Sequence, residues 1–186
     1  MRELSLNILD ITENSLSAGA KNVSVEIDET SDGLFTLTIT DDGCGMSKEM
    51  VESVIDPFCT TRKTRKVGLG IPLLKLAAEQ TGGSLSIESK PEAEYPESHG
   101  TVVRAVFHSD SIDFTPLGDI ASTLVVLIQG SPDVDFIFRH TAPSGEVFLS
   151  TSQMREVLGN DVSLSDFSVL KWIKDYIAES YANLKK

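Results

Sequence analysis

Apolar positions recur along this chain with two periods, and the change from one period to the other marks its elements. Leu4, Ile8 and Ile11 fall at helical spacing and Gly19 supplies a stop, which predicts a first helix over residues 3–18. The period then drops to two: Val23, Val25 and Ile27 alternate with polar residues, as do Phe35, Leu37 and Ile39, and the turn-rich stretch 28–33 lies between them. That pattern predicts adjacent strands. A loop follows over residues 40–45. A short helix comes next, which Ser47 can cap and which must end before Pro57. A second long helix has Pro72 in its first turn and Gly82-Gly83 at its end. Strands near residues 85–87 and 102–107 flank a polar, proline-bearing loop over 90–100.

After Asp110 the pattern changes. An apolar segment spans 117–128, a hairpin is expected from 136–140 and 147–150 around Pro143-Ser144-Gly145, and helices are expected over 151–158 and 165–184. Residues 1–109 are therefore expected to form one α+β domain with an antiparallel-leaning sheet, and residues 110–186 a small separate α/β module. On the last helix Phe167, Leu170, Ile173 and Ile177 are expected to share one face, packed on the body or on a second copy of the chain.

Composition narrows the function classes. The 186 residues are 40% hydrophobic and 24% charged, which fits a packed globular protein, and 16 basic against 28 acidic side chains give a net charge of −12. Such acidity argues against a nucleic-acid coat or a polybasic membrane anchor, since both meet phosphates with positive charge. No apolar run approaches a spanning helix and the first residues lack a secretion-signal layout, so a cytoplasmic protein is expected. Cys44 and Cys59 are expected to be thiols, with small-residue packing favoured over redox control. Against the acidic trend, Arg62, Lys63, Arg65 and Lys66 fall within five positions, which suggests an anion partner.

Three groups of residues carry chemistry. Asp10 and Asn14 stand one helical turn apart, so a carboxylate and an amide share a face. The amide oxygen suits a hard cation such as Mg2+, and the carboxylate can orient or deprotonate a water. The loop Asp41-Asp42-Gly43-Cys44-Gly45 follows a strand, and its glycines let backbone approach a flat ligand while one aspartate points inward. A carboxylate accepts hydrogen bonds only, so it complements the exocyclic amino group of adenine and repels the carbonyl of guanine. The cationic run then leads through Gly68-Leu69-Gly70 into a helix start, where free N–H groups and the helix dipole favour phosphate. Neither a P-loop nor a complete dinucleotide fingerprint is present.

The order ITENSLSAGAKNVSVEI, ITDDGCGM, IDPFCTTR, VGLGIPLLKLAAEQTGG and HGTVV resembles the GHKL superfamily of histidine kinase-like ATPases over nearly all of residues 1–109. The resemblance implies the Bergerat ATP-binding fold, a two-layer α/β sandwich of a mixed sheet with helices on one face. It implies ATP and Mg2+ as cofactors, Asn14 as the Mg2+ ligand, Asp41 as the adenine-reading carboxylate, and Gly43 and Gly45 beside the base. Thr101 matches the threonine that helps hold the adenine-bound water, Gly68, Leu69 and Gly70 lie at the triphosphate, and Thr61, Arg62 and Lys66 belong to a compact ATP lid. Asp10 stands where hydrolytic members carry glutamate, one methylene longer, so a base at Asp10 implies slow hydrolysis. Lys66 replaces the first glycine of the family's G-x-G-x-G, which adds a phosphate partner.

His99, His108 and His140 are expected to be ordinary surface or edge histidines, and a phosphoacceptor-histidine segment before the asparagine helix is not expected. The expected function is therefore an ATP-dependent kinase subunit or regulator acting on a separate, unidentified partner protein in signal transduction. The alternatives are a nucleotide-dependent binding switch, resembling the anti-sigma members, or a slow ATPase that forms a homodimer through residues 110–186. Nucleic acid and membrane are not expected as partners.

Overall fold

The computed structural model describes residues 3–55, 69–159 and 161–184. The predicted helix and strand periods appear as α1 (Leu4–Ser17), β1 (Asn22–Glu29), β2 (Leu34–Asp41), α2 (Lys48–Ile55), α3 (Gly70–Gln80), β3 (Ser84–Lys90) and β4 (Gly100–His108). They continue as α4 (Ile120–Gly130), β5 (Asp135–Ala142), β6 (Gly145–Ser150), α5 (Thr151–Leu158) and α6 (Phe167–Leu184). Thr61, Arg62, Lys66 and Gly68, together with Cys59, lie outside the described residues.

The strands form one mixed sheet in the order β3-β4-β2-β1-β5-β6. Neighbours pair antiparallel except β1 and β5, which run parallel with Val25 opposite Phe138. Alternation then decides the layers. Val23, Val25 and Ile27 of β1, Phe35, Leu37 and Ile39 of β2, Val103, Ala105 and Phe107 of β4, and Phe136 and Phe138 of β5 are all buried. They share the face on which the helices lie: α1 packs against β1 and β2, α3 against β3 and β4, α6 against β6, and α4 sits between α1 and α6. Each fully buried Leu, Ile or Phe contributes on the order of 1.5–3 kcal/mol of transfer free energy, so this shared apolar layer is what holds the fold. The opposite face carries Glu26, Thr38 and Arg104 side by side across β1, β2 and β4.

Residues 110–186, expected as a separate module, supply β5 and β6 to this same sheet and α4 to the same helical layer. Arg155 ties α5 to the start of β5 through the Asp135 carboxylate and the carbonyls of Pro132 and Val134.

Two expectations about this part need correction. Phe167 is 82% exposed, whereas Val169, Leu170, Ile173 and Ile177 are buried. At 3.6 residues per turn Phe167 falls roughly a quarter turn off that stripe. His140 is not a surface histidine: it is 4% exposed and continues the inward phase of Phe136 and Phe138. Its ring bridges Tyr181 Oη at 2.7 Å through Nδ1 and Glu29 Oε1 at 2.9 Å through Nε2. Burial lowers the His140 pKa below its ordinary 6.5, and the Glu29 charge opposes that only in part. The neutral ring therefore donates from Nε2–H to Glu29 and accepts the Tyr181 hydroxyl at Nδ1. Burial, with some contribution from Glu29, pushes the Tyr181 phenol up, so it remains a donor.

Candidate functional site

Between α1, α2, the start of α3 and the ends of β2 and β4 lies a cavity of about 400 Å³, lined among others by Asn14, Asp41, Cys44, Gly45 and Thr101. Its walls are apolar, from Met46, Met50, Val54, Ile71 and Val103. A flat apolar-sided slot with a few converging polar groups is the usual form of a small-molecule site.

The polar end is set by strand register. Asp41 closes β2 directly opposite Thr101 on β4, and Thr101 in turn faces Ser89 on β3. The three side chains form a row. Ser15, on the inner face of α1, donates to Asp41 Oδ2 at 2.6 Å, and the Gly43 N–H donates to Oδ1 at 2.9 Å. Both oxygens are thus held, each with lone pairs left to accept from a further donor. Ser89 Oγ lies 2.8 Å from Thr101 Oγ1 and accepts the Met46 N–H at 2.7 Å, fixing the loop after β2 against β3.

The neighbouring Asp42 has a different job. Burial works against its ionisation, but hydrogen bonds from the Asn22 side chain and the Asn22 and Lys21 backbone outweigh that and hold its carboxyl below the usual range. It accepts the Lys21 N–H at 2.7 Å and the Asn22 N–H at 2.9 Å, so it pins the entry to β1 while Asp41 faces the cavity.

Glycine is required twice here. Gly45 has φ +65°, and a Cβ there would stand 2.0 Å from the Lys90 carbonyl oxygen. Gly100 has φ +134°, and a Cβ would stand 2.1 Å from the Asp41 carbonyl oxygen. Without them β3, β4 and the 41–45 loop could not close around the Asp41 end. The carbonyl of Gly43 is met by His99 Nδ1 at 2.7 Å; a carbonyl only accepts, so that nitrogen carries the proton.

Asn14 also lines the cavity and stands exposed on α1. Asp10, also exposed, lies one turn earlier and is not among the lining residues; a Cβ on Gly70 would stand 3.0 Å from its Cβ, so the start of α3 packs directly on it. Leu69, preceding that helix, is exposed and gives no side-chain cap, and α3 has no acidic residue in its first turn. Pro72 has no N–H and the Leu73 N–H bonds the Leu69 carbonyl, so the donors of this first turn are the Gly70 and Ile71 N–H groups, which no side chain among the described residues caps. The structure thus brings Asn14, Asp41, Gly45 and Thr101 to the lining of one cavity; Gly43 holds Asp41 without lining it, and Asp10, Leu69 and Gly70 are not among the lining residues. Thr61, Arg62, Lys66 and Gly68 are outside the described residues.

Sequence reasoning missed Ser15, Ser89 and His99. Ser15 was detectable, because it continues the inward phase Leu4, Ile8, Ile11. Ser89 and His99 act through contacts across the sheet, for which local spacing has no signal. Among the described residues no cluster of three or more His, Cys, Asp or Glu side chains has metal-binding geometry.

A mixed sheet with helices on one face and a cavity at the Asp41 end of β2 is an architecture shared with solved ATPase domains. The fold matches the MutL ATPase domain of Aquifex aeolicus complexed with ADP at a TM-score of 0.55, with 17% identity, over 85% of this chain and 69% of that one. It matches the N-terminal domain of a DNA repair protein at 0.53, with 17% identity, over 81% and 53%. Residues 1–111 match the family of histidine kinase-, DNA gyrase B- and HSP90-like ATPases, and the chain belongs to that family. Among curated proteins it is 32% identical over 69 residues to the sensor histidine kinase ZraS of Klebsiella oxytoca, covering 37% of this chain and 15% of that protein. It is 40% identical over 55 residues to the DNA mismatch repair protein MutL of Clostridium perfringens, covering 30% of this chain and 8% of that one. The chain therefore spans less than a fifth of the length of these relatives.

Proposed function

We propose that the cavity binds Mg-ATP and that the chain acts as an ATP-dependent kinase subunit or regulator on a partner protein in signal transduction. The observation that carries the nucleotide reading is the Asp41 carboxylate, held by Ser15 and Gly43 beside Thr101 at the end of an apolar slot. There the adenine amino group donates to Asp41, while Met46, Met50 and Ile71 cover the ring. Guanine would set its carbonyl oxygen against the same carboxylate. A hydrogen bond to a charged group is worth about 1.5–3 kcal/mol, which amounts to roughly 10- to 150-fold in affinity.

The uncapped start of α3 fits the anionic end of the ligand, since its N–H groups and dipole meet negative charge. Asn14 offers an amide oxygen to Mg2+, which when bound would neutralise charge on the β- and γ-phosphates. Asp10 is positioned beside the same helix start, where its carboxylate can orient a nucleophile and accept its proton. In this reading Thr61, Arg62 and Lys66, outside the described residues, supply hydrogen bonds and positive charge to the phosphates. No helix among the described residues is long and apolar enough to cross a membrane.

The test incubates the protein with γ-labelled ATP and Mg2+, alone and with candidate partner proteins, and follows free phosphate and labelled protein separately. Label on a partner is the expected result. Tight binding with neither product would replace the kinase by a nucleotide-dependent switch, and free phosphate lost in Asp10→Asn would make the chain an ATPase.

A further inference from the structure

The outer end of the sheet holds a second cavity, remote in sequence from the first. It is a groove of about 660 Å³ between α5 and α6 over β6, floored by Leu149 and Val169 and walled by Met154, Val157, Trp172 and Tyr176. Val157 is 86% exposed and Trp172 52% exposed, an arrangement that leaves large apolar groups in water. Trp172 and Tyr176 are stacked, with ring centroids 5.0 Å apart and planes 8° from parallel, so one wall is a preformed aromatic platform.

Two features say what fits it. The first is backbone chemistry. β6 is the last strand of the sheet, where an incoming strand would ordinarily pair, but Tyr176 Oη donates to the Phe148 carbonyl at 3.0 Å in the middle of that strand. The edge is partly closed, so strand addition is disfavoured and the groove between two helices remains the place to dock. The second is charge. The helices and loop that bound the groove carry exposed Glu156, Asp161, Asp166, Asp175 and Glu179. Of their cations, Arg155 is turned inward onto Asp135, Lys174 faces Asp119 at the start of α4, a carboxyl held below the usual range by Ser122 first and by Lys174 last, and Lys171 stands exposed on α6, one lysine against the five carboxylates. The elements around this apolar groove are therefore net acidic, and the half-exposed Trp172 ring favours a cation stacked on it.

We propose that this groove docks an amphipathic helix of a partner protein, with apolar anchors on one face and Lys or Arg along its flanks. A second copy of this chain is the poorer occupant, because it would bring the same net acidic elements against themselves in a molecule of net charge −12. The inference stands apart from the nucleotide cavity and uses none of its residues.

Trp172 is the single tryptophan of the chain, so its emission reports the groove directly. The probe is a designed Leu/Lys amphipathic helix of about 18 residues, five turns, titrated into the full chain beside two controls: the Leu/Glu counterpart and a Leu/Lys permutation with no apolar face. The expected result is a saturable emission shift with the Leu/Lys helix and at least about tenfold weaker binding of both controls. Val157→Gln, a change at an exposed position that keeps the melting temperature, is expected to weaken the probe about tenfold. Phe167→Gln, equally exposed on α6 but outside the groove, is expected to leave binding unchanged. Equal binding of the permuted peptide, an unaffected Val157→Gln, or no shift at all would overturn the proposal. So would a dimer by light scattering whose Trp172 is already shielded without peptide, which would assign the groove to a second copy.

Discussion

The cavity at the ends of β2 and β4 and the groove over the edge strand β6 are built by opposite rules. At the β2–β4 end, polar side chains are held by register: Asp41, Thr101 and Ser89 line up across three strands, and two glycines let backbone close around them. At the β6 edge the groove is lined mainly by apolar and aromatic side chains, while the buried polar group of neighbouring β5, His140, is bonded to the half-buried Glu29 and Tyr181 away from that groove. Polar groups presented to a cavity select a small ligand by hydrogen bonding; apolar groups presented to solvent select a surface. The same helical layer supports both, and its continuity is the first thing to break.

Phe138 has no exposed surface and stands on β5, where the outer segment meets β1 in parallel register. Phe138→Ala is expected to destabilise the whole molecule by about 3–5 kcal/mol in a single denaturant transition. Calorimetry that resolved two transitions, with only one shifted, would show that the outer segment folds by itself. Gly100→Ala comes next. Its positive φ and the contact with the Asp41 carbonyl predict strain of about 1–3 kcal/mol, read as a lower urea midpoint together with weaker nucleotide binding. Ser15→Ala acts on the ligand more than on the fold. Loss of its hydrogen bond to Asp41 is expected to reduce ATP affinity by about 1–2 kcal/mol in titration calorimetry, with a change in melting temperature smaller than that of Gly100→Ala.

The smallest effect expected is a pH dependence at the outer end. Burial holds the His140 pKa below its ordinary 6.5, so the unfolded chain binds the proton more readily than the folded one. The stability that comes from the neutral ring is fully present above pH 6.5 and is lost as the pH falls toward the folded value, where a proton on Nδ1 would displace the Tyr181 hydrogen bond. His140→Gln is expected to flatten the slope of melting temperature against pH below 6.5. An unchanged slope would mean that His140 does not govern it.

Local elements were legible because each carries its own period. The residues 151–158 expected as a helix are α5 itself, and Pro72 and Gly82-Gly83 bracket α3 as their backbone preferences demand. At the candidate site, local contacts were legible where residues close in sequence meet, as Asp41 and Gly43 do. What local spacing could not show is long-range pairing. Nothing near residue 135 announces that β5 will lie parallel to β1, so the outer segment read as a module of its own. His140 was misjudged for a different reason: residue type was weighed above the phase it shares with Phe136 and Phe138. Phe167 was assigned inward by counting steps of three along α6, a spacing that drifts off a 3.6-residue stripe.

The central claim is that Asp41 reads an adenine base. Titration calorimetry of ATP and GTP with Mg2+, on the protein and on Asp41→Asn, tests it most directly. The account predicts roughly 10- to 150-fold preference for ATP, abolished in the variant by loss of ATP affinity while its melting temperature stays close to that of the parent. Equal affinity for the two nucleotides, or an Asp41→Asn protein that still prefers ATP by the same factor, would contradict it.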